Sequence, residues 1–183
     1  MRAKGTVLKM LKSYIIEEHG SEGWQRWLKS LPPASQGFFN QQILVSAWYP
    51  FEDAVQKPMA ALGQLFYGGD AEGNWKEGRY AAEHDLHGVY RVFVRVANPQ
   101  FLMRNTVSIW SSYYADSEAQ LAEGRKDGAV LVLKGIEPAC RHFDNHVAGW
   151  VERALEICGC RQINIAISNP EKGNTRYEVS WDY

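Results

Sequence analysis

The chain has 183 residues, with 20 Lys and Arg against 21 Asp and Glu, and a heavy aromatic load of 7 Trp, 9 Tyr and 7 Phe. A composition of 45% apolar and 22% charged residues excludes a disordered or collagen-like chain. No apolar run approaches the roughly 18 residues that span a bilayer, and a net charge of -1 leaves no electrostatic footprint for nucleic acid.

In chain order, Val7, Leu8, Leu11, Tyr14 and Ile15 recur at helical spacing, predicting a helix from about Gly5 to His19 with a stop at Gly20. Ser21 then caps a second helix carrying Trp24, Trp27 and Leu28, which Leu31-Pro32-Pro33 closes. A further helical stretch runs from Tyr49-Pro50 to Tyr67, divided or kinked at Pro58. Gly68-Gly69-Asp70 reads as a turn, and Asn74 to His87 as helix. Residues 89–96 are β-branched, yet Val89, Phe93 and Val96 share a helical face, and a helix is expected there. Asn98-Pro99 starts the next helix, through Tyr114.

The last third changes period. Ser117 to Glu123 and Gly128 to Leu133 read as strands around the turn 124–127. Pro138 to Cys158 reads as one helix with Phe143, Val147, Trp150, Val151, Ala154 and Leu155 inwards. Ile163, Ile165 and Ile167 alternate, and so do Tyr177, Val179 and Trp181. The expected fold is α+β: a helical lobe over residues 1–115, and a four-stranded antiparallel sheet crossed by one helix over 116–183, sharing one core.

Three cysteines form no disulfide framework, and Cys158-Gly159-Cys160 is too tight for an ordinary bridge. The basic start lacks the apolar core of a signal peptide, so a reduced, bacterial-type cytoplasm is the expected location. Cys140, His142 and His146 are the metal candidates. The two histidines stand four apart on one helical face, and the cysteine lies where a helix N-terminus lowers a thiol pKa. The alternative is a buried cysteine with two surface or capping histidines. Glu83-His84-Asp85-Leu86-His87 reads as a solvated helical face. Arg79, Tyr80, Arg91 and Arg95 either receive an anionic group or pair with Glu77, Glu83 and Asp85. No nucleophile elbow, phosphate loop or dinucleotide fingerprint occurs, and the chain is not expected to be an enzyme.

Lys4-Gly5-Thr6-Val7-Leu8 resembles the opening of haem–nitric-oxide/oxygen-binding (H-NOX) domains. Pro138-Ala139-Cys140 through Gly149, the Cys158-Gly159-Cys160 turn, Ile163 to Ile167 and Tyr177 to Trp181 resemble the related 4-vinyl-reductase-type ligand-binding domains and a largely myxobacterial group of proteins. The resemblance implies two lobes clamping a porphyrin, with an axial histidine on the helix holding Phe101 to Trp110. That stretch contains no histidine, and Ile109 and Trp110 stand about where the ligand is expected. The implied Tyr-x-Ser-x-Arg propionate clamp falls near Leu131 to Gly135, which reads Leu-Val-Leu-Lys-Gly.

The resulting expectation is a haem-free sensor with no cofactor, binding a small apolar or planar molecule between lobes and signalling to a partner protein. Trp24, Trp48 and Phe51, with Met103, Ile109, Trp110 and Phe143, are the expected ligand-binding residues. Two alternatives stand beside it: a haem-based gas sensor with non-standard ligation, and a ligand-free oligomerisation scaffold in which exposed aromatics build a homodimer. Neither nucleic acid nor membrane is an expected partner.

Overall fold

The computed structural model describes residues 1–87 and 98–183, so the helix expected over 89–96 lies outside the described residues. Strand β1 (Arg2–Lys4) leads into α1 (Gly5–Ser30), which carries both helices expected at the start. Gly20 interrupts it with φ 70 and ψ -179, a left-handed backbone that glycine alone adopts without a Cβ clash. Leu8, Leu11 and Ile15 bury the first half, and Trp24 and Trp27 the second. A short helix unforeseen from the sequence, α2 (Pro33–Phe39), closes on those tryptophans. Its Phe39 ring stands 5.0 Å from Trp27, edge to face, and the Trp27 indole N–H donates to the Pro58 carbonyl at 3.2 Å.

The chain from Tyr49 departs from expectation. Trp48–Pro50 is a strand, β2, which pairs antiparallel with β1, and β1 also pairs with β3 (Tyr114–Ala115). Strands of two or three residues carry no period for a pattern to reveal. A wider π-helical turn over Glu52–Gln56 runs directly into α3 (Lys57–Phe66), and the geometry changes beside Pro58, which has no N–H to donate to the turn before it. Helix α4 (Glu72–His87) follows the Gly68-Gly69 turn. In α5 (Pro99–Tyr113), the Asn98 side chain accepts the Phe101 N–H at 2.8 Å as an N-cap.

The last third forms as its alternation dictates. β4 (Glu118–Arg125), β5 (Gly128–Lys134), β6 (Arg161–Glu171) and β7 (Asn174–Asp182) make an antiparallel sheet in the order β4-β5-β7-β6. The β4–β5 turn, at Lys126-Asp127, is tighter than the expected 124–127, and β6 and β7 join at Lys172-Gly173. Helix α6 (Arg141–Ile157) begins three residues after Pro138 and lays Phe143, Val151, Ala154 and Leu155 inwards. One core joins Leu8 and Leu11 of α1 to Phe143 of α6 and Tyr177 of β7. Among the described residues no helix is long and apolar enough to cross a membrane.

Candidate functional site

Helices α4 and α6 approach until their backbones touch. A Cβ on Gly78 would stand 2.0 Å from the His146 carbonyl oxygen, and one on Gly149 would stand 2.1 Å from that of Trp75. Only hydrogen in place of a side chain permits this spacing. It brings one face of α4 (Asn74, Glu77, Ala81, Asp85, at spacings of three and four) against His142, His146 and Trp150 of α6. Three cross-links follow. His142 Nδ1 meets Asn74 Oδ1 at 2.8 Å, and the Trp150 indole donates to Asp85 Oδ2 at 3.1 Å. His146 Nδ1 pairs with the Glu77 carboxylate, both in the interior, while among the described residues the second oxygen of Glu77 has no hydrogen-bond partner.

Beside these pairs lies a cavity of about 80 Å³. Met10 of α1, Ile109, Trp110 and Tyr113 of α5, and Leu131 and Leu133 of β5 form its apolar wall, and Tyr114 adds a further ring. Its polar edge is Asp85, His146 and Trp150. Trp110 and Tyr114 lie 4.3 Å apart between centroids, so the aromatic wall is continuous. Burial drives the Asp85 carboxyl above the ordinary carboxylate value, and Glu77 adds to that. Hydrogen bonds from Trp150 and Tyr113, and the field of His146, act in the opposite direction without cancelling it.

This sets a pH dependence. A carboxyl whose folded pKa is raised holds its proton longer in the native chain than in the unfolded one. Its contribution is therefore full below the unfolded value of about 4 and is lost as pH rises through the elevated folded value. Asp85→Asn removes that loss. Thermal melts should show its midpoint above the parent's at neutral pH by roughly 2–4 °C, the shift for about 1 kcal/mol at this size, with the gap closing toward acid. Parallel pH profiles for the two proteins would contradict the assignment.

Ile109 and Trp110 line the cavity. The other expected ligand-binding residues are placed elsewhere. Trp24 packs on Trp27 with centroids 5.1 Å apart. Trp48 lies on the small sheet's outer strand, partly exposed beneath the Lys4 ammonium, 4.3 Å from its ring. Phe51 and Phe143 pack edge to face at 4.7 Å in the solid core behind Tyr114, and Met103 lies one turn before Thr106, at a second cavity. Size and aromaticity select for burial, and only some buried rings border a void.

The metal candidates are not assembled into a site. His142 and His146 are each turned onto α4 by their own partners. Burial pushes the Cys140 thiol up rather than down, contrary to the helix-end expectation. Among the described residues no three His, Cys, Asp or Glu gather around one point. Cys158 and Cys160 are buried free thiols, raised to about 11 and about 12 by burial. Arg79 pairs with Glu152 and Glu156 of α6, and Tyr80 with Glu17, rather than with the acids of their own helix. Arg91 and Arg95 lie outside the described residues. Asp85, read as part of a solvated face, is the residue that sequence reasoning missed. The signal available was its helical spacing from Asn74, Glu77 and Ala81.

The porphyrin implied by the resemblance does not fit the residues present. Among the described residues, the lining carries neither Lys nor Arg to meet two propionates and sets the Asp85 carboxyl there instead. Where the resemblance expects the axial histidine, α5 sets Ile109 and Trp110 toward the cavity, and neither ligates iron. The volume is about half that of a cavity that accepts benzene, roughly 150 Å³.

No family model matches the sequence, and no curated protein does. Solved structures do match. The Fe(II) unliganded H-NOX protein from K. algicida has a TM-score of 0.76 at 10% identity, covering 98% of this chain and 97% of that one. The Cs H-NOX mutant carrying 4-cyano-L-phenylalanine has a TM-score of 0.72 at 13% identity, covering 98% and 97%. The S. oneidensis H-NOX protein in the Fe(II)NO state has a TM-score of 0.69 at 13% identity, covering 98% and 99%. Across that span, the chain has the fold of the H-NOX proteins.

Proposed function

We propose that this protein is a haem-free ligand-binding sensor module of the cytoplasm, built as a helical lobe (1–115) and a sheet lobe (116–183). It takes a small apolar or planar molecule into the cavity between them and reports occupancy to a partner protein. The observation that carries this reading is the small aromatic cavity bounded by Ile109, Trp110, Tyr113, Tyr114 and Trp150, in a fold whose solved examples include Fe(II) proteins. An apolar void in a densely packed interior leaves its lining without contacts, and a fitting molecule restores them. Occupancy becomes a signal when the molecule binds one arrangement of α1, α5 and α6 more tightly than another. Among the described residues the cavity brings together no nucleophile with a base and an orienting group, and the reading is therefore binding rather than catalysis.

Xenon serves as the probe, being smaller than benzene and suited to the cavity of about 80 Å³. Saturating xenon should raise the thermal midpoint of the parent protein and leave Ala81→Leu, whose added side chain fills the cavity from α4, unchanged. Equal shifts in both proteins would place binding elsewhere. Haemin titration separates the gas-sensor alternative: a sharp Soret band at one equivalent, lost in His146→Ala, would replace this reading. Broad, non-stoichiometric absorbance is the expected result. Sedimentation at micromolar concentration tests the scaffold alternative, which requires a homodimer without any ligand.

A further inference from the structure

A second cavity, of about 230 Å³, lies at the opposite end of α5 from Tyr113. Its walls are Gln100, Met103 and Arg104 from α5, the β4–β5 hairpin with Arg125 and Lys126, and Trp181 at the end of β7. Three cations therefore converge on a lining whose described residues include no acid. Among the described residues none of the three pairs with a carboxylate, and the segment 88–97 contains neither Asp nor Glu. The nearest acids along the chain, Glu123 and Asp127, are exposed and stand outside the lining.

The cavity is built rather than incidental. Gln100 Nε2 donates to the Lys126 carbonyl and fixes the hairpin to the first turn of α5. Gly128 has no room for a Cβ, which would stand 2.7 Å from the Val179 carbonyl oxygen, and the Arg125 guanidinium lies over it at 3.7 Å. Arg125 is thus folded back across the hairpin. The deciding atom is the Trp181 indole nitrogen. Trp181 is 3% exposed, and among the described residues its N–H has no hydrogen-bond partner. A buried donor without an acceptor, bordering a polar cavity with unpaired guanidinium and ammonium groups, is the complement of an oxyanion. The helix N-terminus at Gln100 adds partial positive charge of the same sense.

We propose that this cavity binds a small phosphate-bearing ligand, with the phosphate held by Arg104, Arg125, Lys126 and the Trp181 indole N–H. Arginine matches phosphate oxygens in paired hydrogen bonds, and three cations suit a dianion better than a carboxylate. The volume lies below the roughly 300–1,000 Å³ of sites for drug-sized molecules, which restricts the organic part to a few atoms beside Met103 and Leu121. The site shares no lining residue with the aromatic cavity, so its test is independent of the sensor reading.

The experiment follows the indole N–H resonances of the seven tryptophans by ¹H–¹⁵N correlation at fixed pH and ionic strength. Inorganic phosphate, phenyl phosphate and acetate are titrated separately, and Trp181→Phe assigns the Trp181 signal. Phosphate and phenyl phosphate should move the Trp181 indole saturably with millimolar or tighter midpoints, and acetate should move it more weakly. Arg104→Gln with Arg125→Gln should weaken phosphate by at least about tenfold, and the exposed Lys126→Gln by several-fold, with the other indole signals in place. An unmoved Trp181 signal, a linear drift with every salt, or the same midpoint in the double variant would overturn the proposal. A response to acetate alone would overturn the dianion assignment.

Discussion

A chain ending before Arg176 is expected to lose soluble folding altogether. Strand β7 is interior to the sheet, bonded to β5 on one side and β6 on the other, so its removal strips the ladder from both neighbours. It also withdraws Tyr177, Val179 and Trp181, exposed by 0%, 1% and 3%, from the face beneath α6. Each large apolar side chain fully buried contributes about 1.5–3 kcal/mol, and three together approach the 5–15 kcal/mol by which a whole domain is stable. The two edges left behind are open templates for association. Solubility after expression and a thermal melt by far-UV circular dichroism measure the outcome. A soluble truncated chain with a cooperative melt near the parent's would show that the sheet does not depend on β7.

The second large effect is expected at the α4–α6 crossing. Gly149→Ala places a methyl group against the Trp75 carbonyl, and Gly78→Ala places one against that of His146. In both cases the opposing atom is backbone, so the helices must separate rather than a side chain rotate. Overpacking of this kind costs about 1–3 kcal/mol and sometimes more. Separation would also loosen the His142–Asn74, His146–Glu77 and Trp150–Asp85 pairs. A loss of about 3 kcal/mol corresponds to a midpoint lowered by roughly 6–12 °C in a chain of this length. The double variant should fail to fold, because the two sites lie on one interface and their strains compound. Melts of either single variant within roughly 2 °C of the parent would mean that the crossing has slack the present spacing does not reveal.

The same crossing explains why Asp85 was read as solvent-facing. It stands among Glu83, His84 and His87, and the local pattern is that of a polar helix surface. What turns it inward is the pairing of α4 with α6, two elements about seventy residues apart, through glycines that carry no polarity signal of their own. Trp24 and Phe51 fail in the opposite sense. Their type predicts burial correctly, but a buried ring borders a cavity only where its neighbours leave space.

From the sequence alone came the alternating strands, their antiparallel pairing and the helix across them. These depend on local period and on motif order, both written along the chain. The three-residue strands, the void beside Trp110, the inward carboxylate of Asp85 and the unpaired cations around Trp181 were decided only by tertiary structure. Each results from segments far apart in sequence meeting at distances set by backbone contact, and neither composition nor periodicity encodes such a distance.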